Sequence, residues 1–148
     1  MRELKFRAWD KDEGSMVLFS DVHSEGVCLM LSFEGNLLDM AYERCDLEGP
    51  VNERYELMQH TGLKDDFDND IYEGDILRIC DYNNDPEIGK YVVVYCAGND
   101  YPAFDLKPYL SEELNGLSYA KAECRIAVIG NVYEHPHLIP KGGEVAVG

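Results

Sequence analysis

The chain has 148 residues, with 13 Lys and Arg against 29 Asp and Glu, a net charge of −16, and 45% hydrophobic residues. Nucleic acids and anionic membrane surfaces are held mainly by Lys and Arg that neutralise their charge, so this balance argues against direct binding of either. Ten Tyr and five Phe distinguish the chain from disordered acidic segments and predict one globular unit with its own core.

Short runs of β-branched and aromatic residues, broken by Gly, Asn, Asp or Pro, predict strands at 4–9, 16–22, 27–33, 37–42, 56–60, 75–80, 91–96, 104–106 and 124–133. The link Glu34-Gly35-Asn36 tolerates positive φ and predicts that the third and fourth strands form a hairpin. Gly49-Pro50-Val51-Asn52 forms a seam, separating a strand-rich part at 1–52 from a second part at about 53–139. The run 91–96 is apolar throughout rather than alternating, which predicts a strand covered on both faces at the centre of the core. A turn at Ala97-Gly98-Asn99-Asp100 leads on towards 104–106. One short helix is predicted at 111–117: Ser111 as N-cap, Glu112 and Glu113 in the first turn, and Leu110, Leu114 and Leu117 on one stripe, with Gly116 keeping it short. Residues 140–148 include three glycines and read as a loose tail. The fold class is therefore mainly β, a β-rich α+β arrangement.

The five cysteines at 28, 45, 80, 96 and 124 are odd in number, widely spaced and without a CxxC pair, which favours reduced thiols over a disulfide framework or zinc site. Cys80, Cys96 and Cys124 lie in apolar runs, where a thiol acts as a small hydrophobe. The longest apolar stretch, 91–97, is far short of the ~20 residues that span a bilayer, and the start of the chain carries no signal-peptide pattern; a cytoplasmic location is expected.

Three segments carry a family pattern in order. Lys5-Phe6-Arg7-Ala8-Trp9-Asp10 opens it. Met58-Gln59-His60-Thr61-Gly62-Leu63-Lys64-Asp65 followed by Ile71-Tyr72-Glu73-Gly74-Asp75-Ile76 forms its centre, and Val128-Ile129-Gly130-Asn131-Val132-Tyr133-Glu134 with Pro136 closes it. Together they resemble the YopX family of phage and prophage proteins over residues 2 to about 139, a single YopX-like unit. The resemblance implies a β-rich fold whose C-terminal half is an SH3-like barrel, and a phage or prophage origin. It implies no activity. Trp9, Thr61, Gly62, Tyr72, Gly74, Asp75, Gly130, Asn131 and Tyr133 are its motif residues, and fold maintenance is the role expected of them. Physically, Gly74 and Asp75 suit a sharp turn into a strand, and Gly130-Asn131 suits a bulge or strand bend. Between Asp65 and Ile71 the family pattern resembles a Lys-Asn-Gly-Lys turn; here it reads Asp66-Phe67-Asp68-Asn69-Asp70, which argues against a tight turn and makes the loop more acidic.

Residues 64–75 hold six carboxylates, at Asp65, Asp66, Asp68, Asp70, Glu73 and Asp75, against one lysine. As an EF-hand, with Asp66, Asp68 and Asp70 at positions 1, 3 and 5, the segment places Ile71 where Gly is needed and Leu77 where the bidentate Glu belongs. A solvated acidic loop is the simpler reading. His23, His60, His135 and His137 show no metal-ligand spacing, and no P-loop, GxSxG or GxGxxG motif occurs. No cofactor, metal or catalytic residue is assigned.

The function expected is therefore a non-enzymatic acidic interaction module that binds a host or phage protein. Its candidate surface comprises Asp65, Asp66, Asp68, Asp70, Tyr72, Glu73, Tyr82 and Tyr101, of which Tyr72, Tyr82 and Tyr101 are aromatics placed in loops flanking barrel strands. Homo-oligomerisation through strand edges is compatible with this. The alternative is a small-ligand or divalent-metal protein, with or without catalysis, built on residues 65–75.

Overall fold

In the computed structural model, which describes residues 4–18, 29–31, 37–39, 54–82, 86–95, 103–111 and 113–145, the chain forms two compact units, Leu4–Gln59 and His60–Gly148. In the first, strand β1 (Phe6–Asp10) pairs antiparallel with β2 (Ser15–Leu18) on one side and with the first half of β5 (Tyr55–Lys64) on the other. Strands β3 (Leu29–Leu31) and β4 (Leu37–Asp39) pair with Leu29 opposite Asp39, the hairpin that the Gly35 link predicts. The flanking parts of these predicted strands, and the seam at 49–52, lie outside the described residues.

One ion pair fixes the β1–β2 turn to β5. Asp10 is buried at the end of β1, and its carboxylate accepts from Arg54 Nε at 3.0 Å and Nη2 at 2.8 Å, and from the backbone N–H of Asp12 at 3.0 Å. This two-pronged geometry is the strong form of a charge-assisted bond. The hydrogen bond from Arg54, more than the opposing effect of burial, holds the Asp10 carboxyl below its usual range.

The second unit is a four-stranded antiparallel sheet in the order β10-β7-β8-β9, built from β7 (Asp75–Asp81), β8 (Glu87–Tyr95), β9 (Phe104–Lys107) and β10 (Cys124–Asn131). A short strand, β6 (Asp70–Tyr72), pairs with the second half of β5. The strand pattern missed β6 because it lies inside the acidic segment. The sheet curls as half of a barrel. Its ladder shifts register between Val128 and Gly130 on β10, at the bulge predicted from Gly130-Asn131.

Both faces of this sheet are apolar near its middle. Tyr91 and Val93 of β8 join Leu77, Ile79, Leu106 and Ile126 in one buried cluster, whereas Val92 joins Ile76 and Val132 in a second on the opposite face. That double covering explains the apolar residues at 91–93, whereas Tyr95 is exposed, and β8 is an interior strand of the sheet as expected.

The helix differs from its predicted span. It runs from Gly116 to Glu123 (α1), with Asn115 as N-cap accepting from the Ser118 N–H at 2.9 Å. Ser111 does accept from the N–H groups of Glu113 and Leu114, at 3.2 and 3.1 Å, but this local turn imitates a cap without starting a helix. Buried Asp105 decides the start: its Oδ1 accepts from Gly116 N at 2.8 Å and would lie 3.2 Å from any Cβ added there. Gly116 therefore opens the helix rather than closing it. Of the segment 140–148 read as a loose tail, Val145 packs on the second cluster, and the Glu144 carbonyl accepts from Lys107 Nζ.

Asp10→Ala is expected to destabilise the protein by about 2 kcal/mol at neutral pH, because it removes the paired hydrogen bonds from Arg54 and leaves the N–H groups of Asp12 and Glu13 without their acceptor. A folded-state carboxyl below its unfolded value of about 3.9 stabilises above that pH and loses the contribution as pH falls through the lowered folded value. Denaturant midpoints of wild type and variant should therefore separate at pH 7 and converge in acid.

Candidate functional site

The acidic segment does not form the solvated loop that its composition suggests. Asp65 is only 4% exposed. Its Oδ1 accepts from the N–H groups of Phe67 at 2.9 Å and Asn69 at 2.8 Å. Its Oδ2 accepts from Asn69 Nδ2 at 3.1 Å and, across the fold, from the N–H of Val128 in β10 at 2.9 Å. Burial alone would raise this carboxyl; the hydrogen bonds from Val128, Asn69 and Phe67 outweigh it and hold the group below its usual range. Asp66 continues the clamp: its N–H donates to the Ile126 carbonyl at 3.0 Å, and its Oδ2 accepts from the Ile126 N–H at 2.8 Å. Two carboxylates thus occupy the outer edge of β10, which is the edge strand of its sheet.

The turn is tight without glycine. Asp68 takes φ 67°, in the left-handed region, and its N–H donates to the Asp65 carbonyl at 3.3 Å. Asp and Asn are the non-glycine residues that adopt this conformation most readily, so the turn closes without glycine.

The remaining motif residues serve the backbone. Thr61 Oγ1 donates to the Ile71 carbonyl at 2.8 Å and accepts from the Leu63 N–H at 3.2 Å, while Gly62 at φ 88° lets β5 bulge against β6. Gly74, at φ 85°, bonds to Val93 through its N–H and to Val132 through its carbonyl. Asp75 is buried and accepts from the Tyr72 N–H at 2.8 Å. Asn131 Oδ1 accepts from the N–H groups of Tyr133 and Glu134, closing the turn after β10. A Cβ at Gly130 would lie 2.6 Å from His135 Nδ1. Trp9 lies half-buried on β1, opposite Met16 and Glu56, and Tyr133 packs on the second apolar cluster.

The predicted interaction residues therefore separate. Asp65 is buried; Tyr72 belongs to β6 and is half-buried, its ring 5.2 Å from that of His60; Asp70 lies beside Lys64 and His60; Glu73 is half-buried in the turn before β7. Asp68 is exposed. Tyr101 lies outside the described residues. Only Asp66 and Tyr82 come together, as walls of a groove of about 510 Å3 on the outward face of β7 and β10, with Phe67, Arg78, Cys80 and Arg125. Phe67 is 74% and Tyr82 64% exposed. The Arg125 guanidinium lies over the Tyr82 ring at 5.6 Å from its centroid, and Arg78 Nε lies 3.6 Å from Glu87 Oε2.

Sequence reasoning missed both arginines. The available signal was a lone cation inside each apolar strand, Ile76-Leu77-Arg78-Ile79 and Cys124-Arg125-Ile126, which marks an outward-facing position. Cys80 and Cys124 are buried free thiols, as expected; burial, with Asp81 and Glu123 nearby, pushes the Cys124 thiol up and away from reactivity. Among the described residues, no three His, Cys, Asp or Glu side chains converge on a point where a metal would sit, and no helix is long and apolar enough to cross a membrane.

A curled antiparallel sheet, a single helix among the described residues and a carboxylate-clamped edge define a mainly β domain of half-barrel type. The chain belongs to the YopX protein family, whose model matches residues 5–140. It is similar to the crystal structure of protein EF1440 from Enterococcus faecalis, with 24% identity, a TM-score of 0.54, and coverage of 95% of this chain and 100% of that one. It is also similar to the X-ray structure of protein yopX from Bacillus subtilis, with 22% identity, a TM-score of 0.59 and the same coverage. These likenesses are of fold. No curated protein matches the chain.

Asp65→Ala is expected to lower stability by about 3 kcal/mol, since it leaves buried backbone donors unpaired, and chemical denaturation should show a lower midpoint with an unchanged slope. Asp68→Gly is expected to act in the opposite direction by about 0.5–1 kcal/mol, because glycine adopts the left-handed conformation without strain; thermal melting would register the gain.

Proposed function

We propose that this chain is a non-enzymatic interaction module of phage or prophage origin that binds a protein of the phage or its host. The observation that carries the reading is the groove on the β7–β10 face, where Phe67 and Tyr82 expose large rings beside two arginines. Exposed aromatics next to Arg are the side chains that dominate protein–protein hot spots. The family's solved structures come from bacteria, the setting in which an integrated prophage resides.

The binding surface proposed here differs from the acidic loop as a whole. Asp65 and Asp66 are engaged with backbone N–H groups, which removes them as free docking charges and also weakens support for a divalent-cation site on residues 65–75. The negative charge retains a role in keeping the chain soluble and in repelling unsuitable partners.

A pull-down from bacterial lysate tests the reading, comparing wild type, the double variant Phe67→Ser/Tyr82→Ser, and Tyr119→Ser on the exposed surface of α1 as control. The expected result is a protein identified by mass spectrometry that wild type and control retain and the double variant loses. Equal retention by all three, or by none, overturns the assignment.

A further inference from the structure

The second apolar cluster and the groove lie on one face of the same sheet. Ile76, Arg78 and Cys80 alternate along β7 and so share that face. At the Ile76 end it is covered by Val132, Leu138, Ile139 and Val145 of the chain's own C-terminal segment. Towards the Cys80 end, among the described residues, three cations and one carboxylate share the face: Arg78 lies directly opposite Lys90 on β8, and Cys80 lies between Arg125 on β10 and Glu87 on β8. In a chain of net charge −16 this grouping of three cations points to an anionic occupant.

Spacing and edge chemistry narrow the occupant further. Arg78 is opposite Ala127, so Arg78 and Arg125 are diagonal neighbours across the β7–β10 pair, about 7 Å apart at their bases. An extended peptide places side chains two residues apart on one side at about the same separation. Tyr82 follows Cys80 by two positions and receives Arg125 over its ring, so an apolar side chain two residues beyond the second acid would meet it. The partner cannot add as a strand to this part of β10, because Asp65 and Asp66 already take the outward N–H groups of Val128 and Ile126. It must lie across the face. A long polyanion such as nucleic acid would meet the repulsion of the whole chain, whereas a short segment with two carboxylates meets far less.

We infer that the groove recognises an extended acidic segment of a partner protein, with carboxylates at alternate positions followed by an apolar residue, the carboxylates pairing with Arg78 and Arg125 and the apolar side chain resting on Tyr82. The Arg78–Glu87 contact, at 3.6 Å between half-exposed groups, is weak enough to be exchanged for the ligand's carboxylate. The inference rests on the interaction reading above and names the chemistry of that same site.

Isothermal titration calorimetry on the full chain provides the test, with peptides carrying Glu-Ser-Glu-Ser-Leu in either chain direction and an isomer of equal charge, Glu-Glu-Ser-Ser-Leu. One alternating peptide should bind at least about fivefold more tightly than the isomer, and rising salt should weaken it. Arg78→Glu and Arg125→Glu should each weaken binding about tenfold or more, with circular dichroism confirming the fold, while Lys141→Glu at an exposed position should leave it within about twofold. Equal affinity for both arrangements, or no heat at millimolar peptide, overturns the inference. So does tighter binding of a short oligothymidylate that is lost in the same Arg variants, or self-association abolished by Arg125→Glu. If the peptides fail while Phe67 and Tyr82 still control capture of a protein, the acidic-segment chemistry is wrong and the interaction module stands.

Discussion

A strand at the edge of a sheet leaves half of its N–H and C=O groups unpaired, and at β10 this requirement is met by carboxylates rather than by another strand. Asp65 and Asp66 supply the acceptors, and Asp65 is itself held by its own turn through Phe67 and Asn69. The consequences extend through the second unit. The clamp keeps β10 in register with β7, so that Ile126 and Val128 face the first apolar cluster while Arg125 and Ala127 face outward. It positions Phe67 at the rim of the groove. The same contacts spend acidic side chains on architecture that a charge count would assign to solvent.

Much of the strand framework was readable from the chain, because alternation and turn chemistry are local properties. The hairpin at Gly35, the central strand at 91–96 and the bulge at Gly130 all follow from a few adjacent residues. What could not be read depends on distant partners. The helix begins at Gly116 because buried Asp105 accepts its N–H from eleven residues away, and nothing near Ser111 announces that bond. Strand β6 was hidden for a related reason: its first residue is one of the acids that dominated the reading of the loop. The candidate surface was legible only at Asp66 and Tyr82, since the arginines that complete it meet across the β7–β10 ladder, whose paired residues are 43 or more positions apart in sequence.

The charge of −16 takes on a different meaning once its bearers are placed. Asp10, Asp65, Asp75 and Asp105 are all buried, and each accepts backbone or arginine donors. Carboxylates used in this way organise turns and helix starts in a chain with few basic residues to spare. The cations, being scarce, become informative by position. Arg54 is committed to Asp10, whereas Arg78, Lys90 and Arg125 share one outward face.

The chain's own C-terminal segment covers the Ile76 end of that face. Leu138, Ile139 and Val145 pack beside Ile76, Val92 and Val132, so this part of the sheet face is spent on the chain's own interior while Arg78 and Arg125 line the groove. The extent of covered sheet face is set by where residues 138–145 lie, and trimming that segment would bare Ile76 and Val132 to solvent without altering either strand of the ladder that holds Arg78 and Arg125.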